Sequence, residues 1–225
     1  MGVLVAGGTG ALGEAVVREL SGSGYEVTAT WIVDRERERI EADLGAGVAL
    51  VRADLFHSEE TAAAVDAVPE LEAVVNLVGG FAMGPKVHET DLADFERMLR
   101  LNLIPGFNLA RAAMPRLVER GAGAYVGVSA RAGLRPFAGA AGYVTAKAAV
   151  LTFVQALDAE YRASGVRCNA ILPSVIDTPA NREGQPDADW SKWVPPEEIA
   201  RVVRFLVSEE SAPTSGAGIP VYGRA

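Results

Sequence analysis

Tyr143 and Lys147 are the residues of this chain whose types and spacing most directly suggest chemistry. Side chains four residues apart on a helix project from the same face, so a helix here would place a phenol beside an ammonium group. A nearby cation favours the phenolate, and we therefore expect Lys147 to lower the pKa of Tyr143 and make it a proton donor. The alternative is an exposed lysine beside a half-buried tyrosine, because this spacing is common on helices.

A glycine-rich turn near the start of the chain predicts a second functional element. An apolar run at 3–6 is followed directly by Gly-Gly-Thr-Gly-Ala-Leu-Gly at 7–13, and helical spacing of apolar residues follows at 14–20. Glycines let the backbone approach a pyrophosphate, and the N-terminus of a helix directs N–H groups towards it. The order of strand, turn and helix therefore predicts a dinucleotide site.

Composition excludes several other kinds of function. The 225 residues carry a formal net charge of -8, and the pI is near 4.9, which argues against a nucleic-acid partner. His57 and His88 lack metal-ligand spacing, so we predict no metal site. Cys168 lies in an apolar run and is expected to be a buried, inert thiol. With neither a signal-type segment nor an apolar run long enough for a bilayer, we expect a cytoplasmic protein without a membrane partner.

Apolar runs and helical patterns alternate along the chain. The predicted strands are 3–6, 26–33, 48–53, 73–78, 124–129, 166–172 and 219–222, and the predicted helices are 14–21, 34–44, 58–67, 91–119, 141–163 and 196–208. Strands without polar alternation are typical of a parallel sheet covered on both faces. We predict an α/β fold, a single-domain Rossmann-type doubly wound parallel sheet of about seven strands over 1–225, with helices on both faces. A polar loop at about 177–195 holds Trp190 and Trp193 and is either a substrate lid or a segment that its tryptophans pin to the body.

Five motifs, in this order along the chain, resemble the short-chain dehydrogenases/reductases. They are the glycine turn, Asn76-Leu77-Val78-Gly79, Asn102, the Tyr-x-x-x-Lys pair, and Pro173-Ser174-Val175-Ile176-Asp177-Thr178. The resemblance covers the whole chain and implies an NAD(P)-dependent oxidoreductase.

The resemblance also implies a role for each motif. The implied cofactor-binding residues are Gly7, Thr9, Gly10, Ala11, Leu12 and Gly13 at the pyrophosphate, Asp54 and Leu55 at the adenine, Asn76, Val78 and Gly79 at the neighbouring ribose, and Pro173, Val175, Ile176 and Thr178 at the nicotinamide end. Tyr143 would donate the proton, and Lys147 would bind the nicotinamide ribose. Asn102 would kink its helix and hold a water of the proton relay. The alternatives are a surface role for Asn102 and a helix-capping role for Asp54.

Two positions depart from the family pattern. The serine that usually stands thirteen residues before the tyrosine is Ala130 here, and Ser129 precedes it. Neighbouring residues on a strand face opposite ways, so Ser129 would substitute only if a bulge re-aimed it. In the family pattern a glycine follows this serine position, and Gly133 stands there when Ala130 is aligned with the serine. This favours the unshifted register, in which the serine is absent. The second departure, Ala11 in place of the middle glycine, is tolerated if its φ is negative.

Without that serine, the chain resembles the dihydropteridine reductases, a divergent branch of the family. The stretches Gly79-Gly80-Phe81-Ala82-Met83-Gly84 and 177–193 have the same likeness. It implies hydride transfer to a flat conjugated acceptor such as a quinonoid dihydropterin. The alternatives are a short-chain reductase of another small carbonyl and a dinucleotide-binding sensor without catalysis.

The choice between NAD and NADP depends on the end of the second strand, where a carboxylate would favour NAD. Trp31 stands there, and Arg35 or Arg37 would be close to a 2′-phosphate, which weakly favours NADP. The alternative is that both arginines belong to a solvated helix face. The resemblance also implies a homodimer or homotetramer that pairs the long helices; alternatively, these helices only pack on the sheet.

Overall fold

Short apolar segments form one parallel sheet in the computed structural model, which describes residues 1–44 and 47–224. The strands are β1 (Gly2–Ala6), β2 (Glu26–Trp31), β3 (Ala49–Arg52), β4 (Leu71–Asn76), β5 (Gly123–Val128), β6 (Val166–Pro173) and β7 (Gly218–Val221). Their order in the sheet is β3-β2-β1-β4-β5-β6-β7, and every pair is parallel.

Helices cover both faces of this sheet. They are α1 (Ala11–Gly22), α2 (Asp34–Leu44), α3 (Ser58–Asp66), α4 (Leu92–Arg120), α5 (Ala141–Tyr161), α6 (Pro179–Gly184) and α7 (Pro196–Val207). Alternate strand residues face opposite cores, so Leu4 packs in the core with α3, α4 and α5, whereas Val5 packs in the core with α1 and α7. The predicted doubly wound α/β fold is confirmed.

The sheet has its topological switch point at β1. β1 pairs with β2 on one side and with β4 on the other, so the connections that leave β1 and β4 diverge to opposite faces. Such a divergence opens a crevice at the carboxyl ends of the strands, which is where ligands of open α/β sheets bind. The two loops that line this crevice, after β1 and after β4, lie close together. A Cβ at Gly7 would be 3.1 Å from Val78 Cγ2.

The loop at 177–195 contains a short helix, α6, which was not predicted from the sequence. α6 begins after Thr178, whose hydroxyl oxygen accepts a hydrogen bond from the Asn181 N–H (3.2 Å), and Pro179 occupies its first turn. Trp193 is buried, and the next residue, Val194, forms a parallel bridge with Ile176. Trp193 therefore anchors this segment to the body of the protein.

Element boundaries differ from prediction by a few residues. β2 ends at Trp31 rather than at Val33, because both Ile32 and Val33 are exposed beyond the edge of β3. α5 ends at Tyr161, and a short 3₁₀ turn continues to Ser164.

Within residues 1–44 and 47–224, no helix is both long and apolar enough to cross a membrane. The same residues include no group of three or more His, Cys, Asp and Glu side chains arranged to hold a metal ion.

Cys168 lies on β6, between β5 and β7, and its burial generates a testable prediction. The side chain is fully buried, and burial raises the pKa of the thiol to about 12. Because the thiolate is the reactive form, we expect the folded protein at pH 8 to resist iodoacetamide for hours and the urea-unfolded protein to be labelled within minutes. Mass spectrometry of the intact protein measures both rates; rapid labelling of the folded protein would contradict the buried position.

Candidate active site

The glycine turn joins β1 to α1 in a shape that only glycine permits at two positions. Gly7 has a left-handed φ of +73°, and a Cβ at Gly13 would overlap the Gly7 carbonyl oxygen. Gly10 caps α1, and a Cβ there would meet only the Gly7 carbonyl oxygen, at 3.6 Å. The N-terminus of α1 is therefore open to the crevice and fits a pyrophosphate, whose charge the helix dipole favours.

Ala11 fits this turn as predicted. It is the first residue of α1, and within the described chain every positive φ belongs to a glycine, so Ala11 has a negative φ. Its side chain is exposed and obstructs neither the turn nor the helix.

The turn is held by α2 as well as by the strands. Thr9 is buried, and its hydroxyl donates to Oε2 of Glu36 (3.0 Å). Arg39 Nη2 donates to the Thr9 carbonyl (2.8 Å), and the Gly7 N–H donates to the hydroxyl of Thr30 (3.0 Å). Glu36 was not predicted from the sequence, because it lies within a run of alternating charges that resembles a solvated helix face.

The end of β2 carries the predicted Trp31, which is half-buried. The Arg37 guanidinium lies 5.2 Å from the centroid of the Trp31 ring and donates to Glu41 (2.8 Å). Arg35 is exposed. Of the two arginines predicted to contact a 2′-phosphate, Arg37 is paired with carboxylates of its own helix. Within the described residues, Arg35 has no ion pair.

Lys147 lies in the interior, on the face of α5 that packs against β5. Its Nζ donates to the carbonyl of Val128 (3.0 Å) at the end of β5. It also lies against the loop after β4, because a Cβ at Gly79 would be 3.1 Å from Nζ. Burial disfavours the ammonium form and lowers the pKa of Lys147 to about 8.

Tyr143 stands one turn before Lys147, as the spacing predicts. The Lys147 Nζ is 5.9 Å from the centroid of the Tyr143 ring, and Phe81 contacts that ring edge-on, with 4.9 Å between centroids. Burial raises the pKa of Tyr143 to about 12, so the predicted lowering by Lys147 is wrong for this structure. The physical reason is that the ammonium group is directed to the Val128 carbonyl while the phenol is largely desolvated. The phenol consequently carries its proton at neutral pH.

Asn102 is buried in α4, so the alternative of a polar surface residue is wrong. Its side-chain amide donates to the Gly80 carbonyl (3.1 Å) and accepts from the Gly80 N–H (3.1 Å), which pairs it with the loop after β4. It also donates to the Met98 carbonyl of its own helix (3.0 Å). α4 is one continuous helix from Leu92 to Arg120, and Pro105 and Pro115 within it have no N–H to donate, so a kink at Asn102 stays a prediction.

Asn76 and Asp54 end their strands with local hydrogen bonds. Asn76 is buried, and its Oδ1 accepts from the Val78 N–H (3.1 Å). The Asp54 carboxylate accepts from the Phe56 N–H (3.0 Å), and α3 begins after His57 without a side-chain cap, so the alternative of Asp54 as its cap is wrong. The side chains of both residues thus shape the turns that form the floor of the crevice.

The segment after β6 bends at Ser174 and Val175 and then lies against the segment that leads into α7. The Val175 carbonyl accepts from the Val194 N–H (2.9 Å), and the Ile176 carbonyl accepts from the Asn181 amide (2.8 Å). Pro173 is the last residue of β6, and the hydroxyl of Thr178 caps α6. The four residues predicted for the nicotinamide end therefore stand at the carboxyl edge of the sheet, Thr178 with its hydroxyl hydrogen still able to donate.

The serine expected at the end of β5 is absent, as the unshifted register predicts. Ser129 is buried, and its hydroxyl donates to the Lys147 carbonyl inside the fold (2.6 Å). Ala130 follows with extended backbone (φ -161°, ψ 158°), so its methyl group points away from the Ser129 side chain. Gly133 lies directly on α5, where a Cβ would be 3.0 Å from the Ala148 nitrogen. Ser129 therefore holds β5 to α5 and has no free hydroxyl for a substrate.

These contacts assemble a cleft with a proton donor, a buried amine and a phosphate-type turn. The predicted residues lie at the carboxyl ends of strands, in the first turns of α1 and α2, or on α4 and α5, which pack against each other on one face of the sheet. Phe81 lies in the stretch 79–84 that carries the dihydropteridine reductase likeness, and its edge-on contact with Tyr143 was not predicted from the sequence.

Known proteins agree with this architecture. A family model described as short chain dehydrogenase matches residues 2–189. A 2-(R)-hydroxypropyl-CoM dehydrogenase of Xanthobacter autotrophicus is 31% identical over 189 residues, which are 77% of this chain and 76% of that protein. An acetoacetyl-CoA reductase of Allochromatium vinosum is 28% identical, over 98% of this chain and 96% of its own.

A solved structure with a bound dinucleotide is similar over nearly the whole chain. It is a 3-oxoacyl-[acyl-carrier protein] reductase from Brucella melitensis with bound NAD, with a TM-score of 0.88, 27% identity, and coverage of 99% of this chain and 89% of that one. The family match and the shared fold agree with the chemistry of the cleft: this chain belongs to the short-chain dehydrogenase/reductase family and is an NAD(P)-dependent oxidoreductase.

Proposed function

We propose that this enzyme transfers a hydride from NADH or NADPH to a small conjugated acceptor, with Tyr143 as the proton donor. The observation that carries the proposal is the combination of Ala130 at the usual serine position with a Ser129 hydroxyl that is committed to the Lys147 carbonyl. A single donor, the Tyr143 phenol, then faces the acceptor. An acceptor whose added charge spreads over a conjugated ring depends less on a second donor than an isolated ketone does.

The chain's own residues would hold the cofactor along the crevice. The turn at 7–13 would bind the pyrophosphate, Trp31, Arg35, Asp54 and Leu55 the adenosine end, Asn76, Val78 and Gly79 the ribose wall, and Pro173, Val175, Ile176 and Thr178 the nicotinamide end. When bound, the dihydronicotinamide supplies the hydride. Lys147 would bind the adjacent ribose hydroxyls, and Tyr143 would deliver its proton to the acceptor atom that becomes electron-rich. The phenolate then regains a proton from water, which balances the reduction.

An aromatic rim beside Tyr143 supports a flat acceptor. Phe81 is 55% exposed although it packs edge-on against Tyr143, and Phe137 and Met83 are also exposed. The Gly84 N–H donates to the Gly139 carbonyl (2.7 Å), which ties the loop of Phe81 to the loop of Phe137. A planar ring such as a quinonoid dihydropterin would gain aromatic contact area when bound beside Phe81.

The names of related proteins support a second candidate, the reduction of another small carbonyl compound. Acetoacetyl-CoA reductase and 3-oxoacyl-[acyl-carrier protein] reductase are named for carbonyl substrates. The two candidates differ in how much they need a second hydrogen-bond donor at position 130.

The segment 177–195 supports a covering role over the acceptor. It leaves the carboxyl edge of β6, is anchored by the buried Trp193, and carries the half-buried Trp190 stacked 4.7 Å from the Arg182 guanidinium. We propose that it is the lid of the acceptor site.

Tyr143→Phe tests whether the chain is a catalyst or a dinucleotide-binding sensor. The variant loses the proton donor but keeps the ring that packs on Phe81, so we expect kcat to fall by about 10²–10⁴ with NADH or NADPH affinity changed by less than about threefold. Steady-state kinetics and titration of cofactor fluorescence measure the two quantities. An unchanged kcat would overturn the assignment of the proton donor.

Ala130→Ser tests the acceptor class, with Ser129→Ala as the matched control one residue away. We expect the wild type to reduce quinonoid dihydropterin at least about tenfold faster than simple ketones, and Ala130→Ser to raise ketone reduction by about tenfold, because it restores a donor to the carbonyl oxygen. Ser129→Ala should leave the ratio of the two rates unchanged and lower the free energy of unfolding by about 1 kcal/mol, since it removes a buried hydrogen bond. Rates with both acceptors and urea unfolding are the measurements. A wild type that reduces ketones but not the dihydropterin would favour the second candidate.

The outer surfaces of α4 and α5 support a homodimer. A shallow groove between them, about 480 Å³ in volume, includes Phe107, which is 48% exposed and lies 6.3 Å from the Phe153 ring. Arg111 of α4 and Glu160 of α5 flank this groove. A second copy docked about a two-fold axis would bring opposite charges together over the aromatic pair, as an isologous interface requires.

Phe107→Glu tests this dimer, with Val87→Glu as a control on a comparably exposed apolar residue elsewhere. Burying a carboxylate in an apolar interface is costly, so we expect Phe107→Glu to raise the dimer dissociation constant by about 100-fold or more and Val87→Glu to leave it unchanged. Sedimentation velocity over a concentration series measures both. A wild type that stays monomeric at high concentration, or a Phe107→Glu protein as dimeric as the wild type, would exclude this interface.

A further inference from the structure

The structure brings a carboxylate to the adenosine end of the crevice although the sequence lacks one at the end of β2. Trp31 stands where an acidic residue would hydrogen-bond the ribose, but α2 begins at Asp34, and Glu36 in its first turn reaches back to the glycine turn. The Thr9 hydroxyl donates to Glu36 Oε2 (3.0 Å). We propose that Glu36 binds the hydroxyls of the adenine-side ribose and makes the enzyme select NADH over NADPH; this inference rests on the proposed cofactor site.

The position of Glu36 is set by rigid neighbours. Thr9 is buried, and β1 and β2 pair in parallel with Val5 opposite Ala29, so the turn after β1 lies beside the end of β2. The adenine-side ribose joins the pyrophosphate to the adenine, and it must therefore lie between the glycine turn and the ends of β2 and β3. Glu36 stands at that junction, and only one of its carboxylate oxygens accepts from Thr9.

Two neighbouring cations, Arg18 and Arg39, are paired with other carboxylates. Arg39 is bound to Glu14 (3.1 Å) as well as to the Thr9 carbonyl, and Arg18 pairs with both Glu14 and Asp43. These four paired groups and Glu36 make three carboxylates and two guanidinium groups, a net charge of -1 for this set, which does not include the exposed Arg35.

A 2′-phosphate, with a charge of about -1.5 to -2, would enter this negative field directly beside Glu36. A ribose diol instead donates hydrogen bonds to the carboxylate, and such charge-assisted bonds are strong. The contacts therefore favour NAD, in contrast to the weak expectation of NADP from Arg35 and Arg37.

Cofactor binding without any acceptor tests the inference independently of turnover. Titration of NADH and NADPH fluorescence should give at least about tenfold tighter binding of NADH to the wild type. Glu36→Gln removes the charge, and we expect the NADH/NADPH affinity ratio to fall by about tenfold or more. Glu38→Gln is the matched control, since Glu38 lies on the same helix, is exposed, and contacts Arg37 (3.6 Å) rather than the turn; its ratio should equal that of the wild type.

Several results would overturn the role of Glu36. These are a wild type that binds NADPH as tightly as NADH or more tightly, a ratio unchanged by Glu36→Gln in a protein with native circular dichroism, and a selective loss of NADPH binding in Arg39→Gln. If Glu36→Gln does not fold, Glu36→Asp replaces it, and NADH affinity that falls while NADPH stays excluded supports the inference. A protein that binds neither cofactor overturns the proposed function together with this inference, whereas NADH selectivity without reduction of any conjugated acceptor overturns only the proposed acceptor.

Discussion

The candidate site depends on the way the Lys147 residue ties α5 to the end of β5. Its ammonium group donates to the Val128 carbonyl, and its own carbonyl accepts from the Ser129 hydroxyl. Two hydrogen bonds thus join one helical residue to the last residue of β5 and to the residue that follows it. Gly133 makes this approach possible, because a side chain there would press on the backbone at Lys147 and Ala148. With α5 fixed in this way, Tyr143 has a defined place one turn earlier.

Lys147 also restricts the position of the loop after β4. Gly79 packs against both Nζ of Lys147 and the amide of Asn102, so neither contact leaves space for a side chain. Asn102 pairs with the backbone of Gly80 in both directions, which fixes the loop that carries Phe81. The aromatic contact between Phe81 and Tyr143 is therefore the end of a chain of contacts that starts at Lys147, and a change at any of these positions would displace the acceptor site.

The sequence was sufficient to predict the fold, and local patterns were sufficient to choose the candidate site positions. Unbroken apolar runs such as 166–172 have few alternatives to a strand covered on both faces, and the glycines at 7 and 13 are required by backbone geometry. Sequence spacing also placed Tyr143 beside Lys147. It could not give the direction of the Lys147 ammonium group, since that depends on the Val128 carbonyl from a different element. For the same reason the pKa of Tyr143 moves upward with burial rather than downward. Glu36 was missed because its partner Thr9 is 27 residues away in the chain.

A raised pKa is consistent with the role of Tyr143 once the absent serine is considered. A phenol with a pKa of about 12 is protonated at neutral pH, so a proton is present before hydride transfer, but it is a weak acid. Strong stabilisation of a localised oxyanion normally takes more than one preorganised donor, and the methyl group of Ala130 offers none. In the proposed reaction, the acceptor itself would therefore disperse much of the negative charge that hydride transfer creates. A conjugated ring does this intrinsically and becomes basic at a single atom as it is reduced, and that atom can take the proton from a weak acid. In the proposed function, the desolvation of Tyr143 and the absence of the serine hydroxyl would favour the same kind of acceptor.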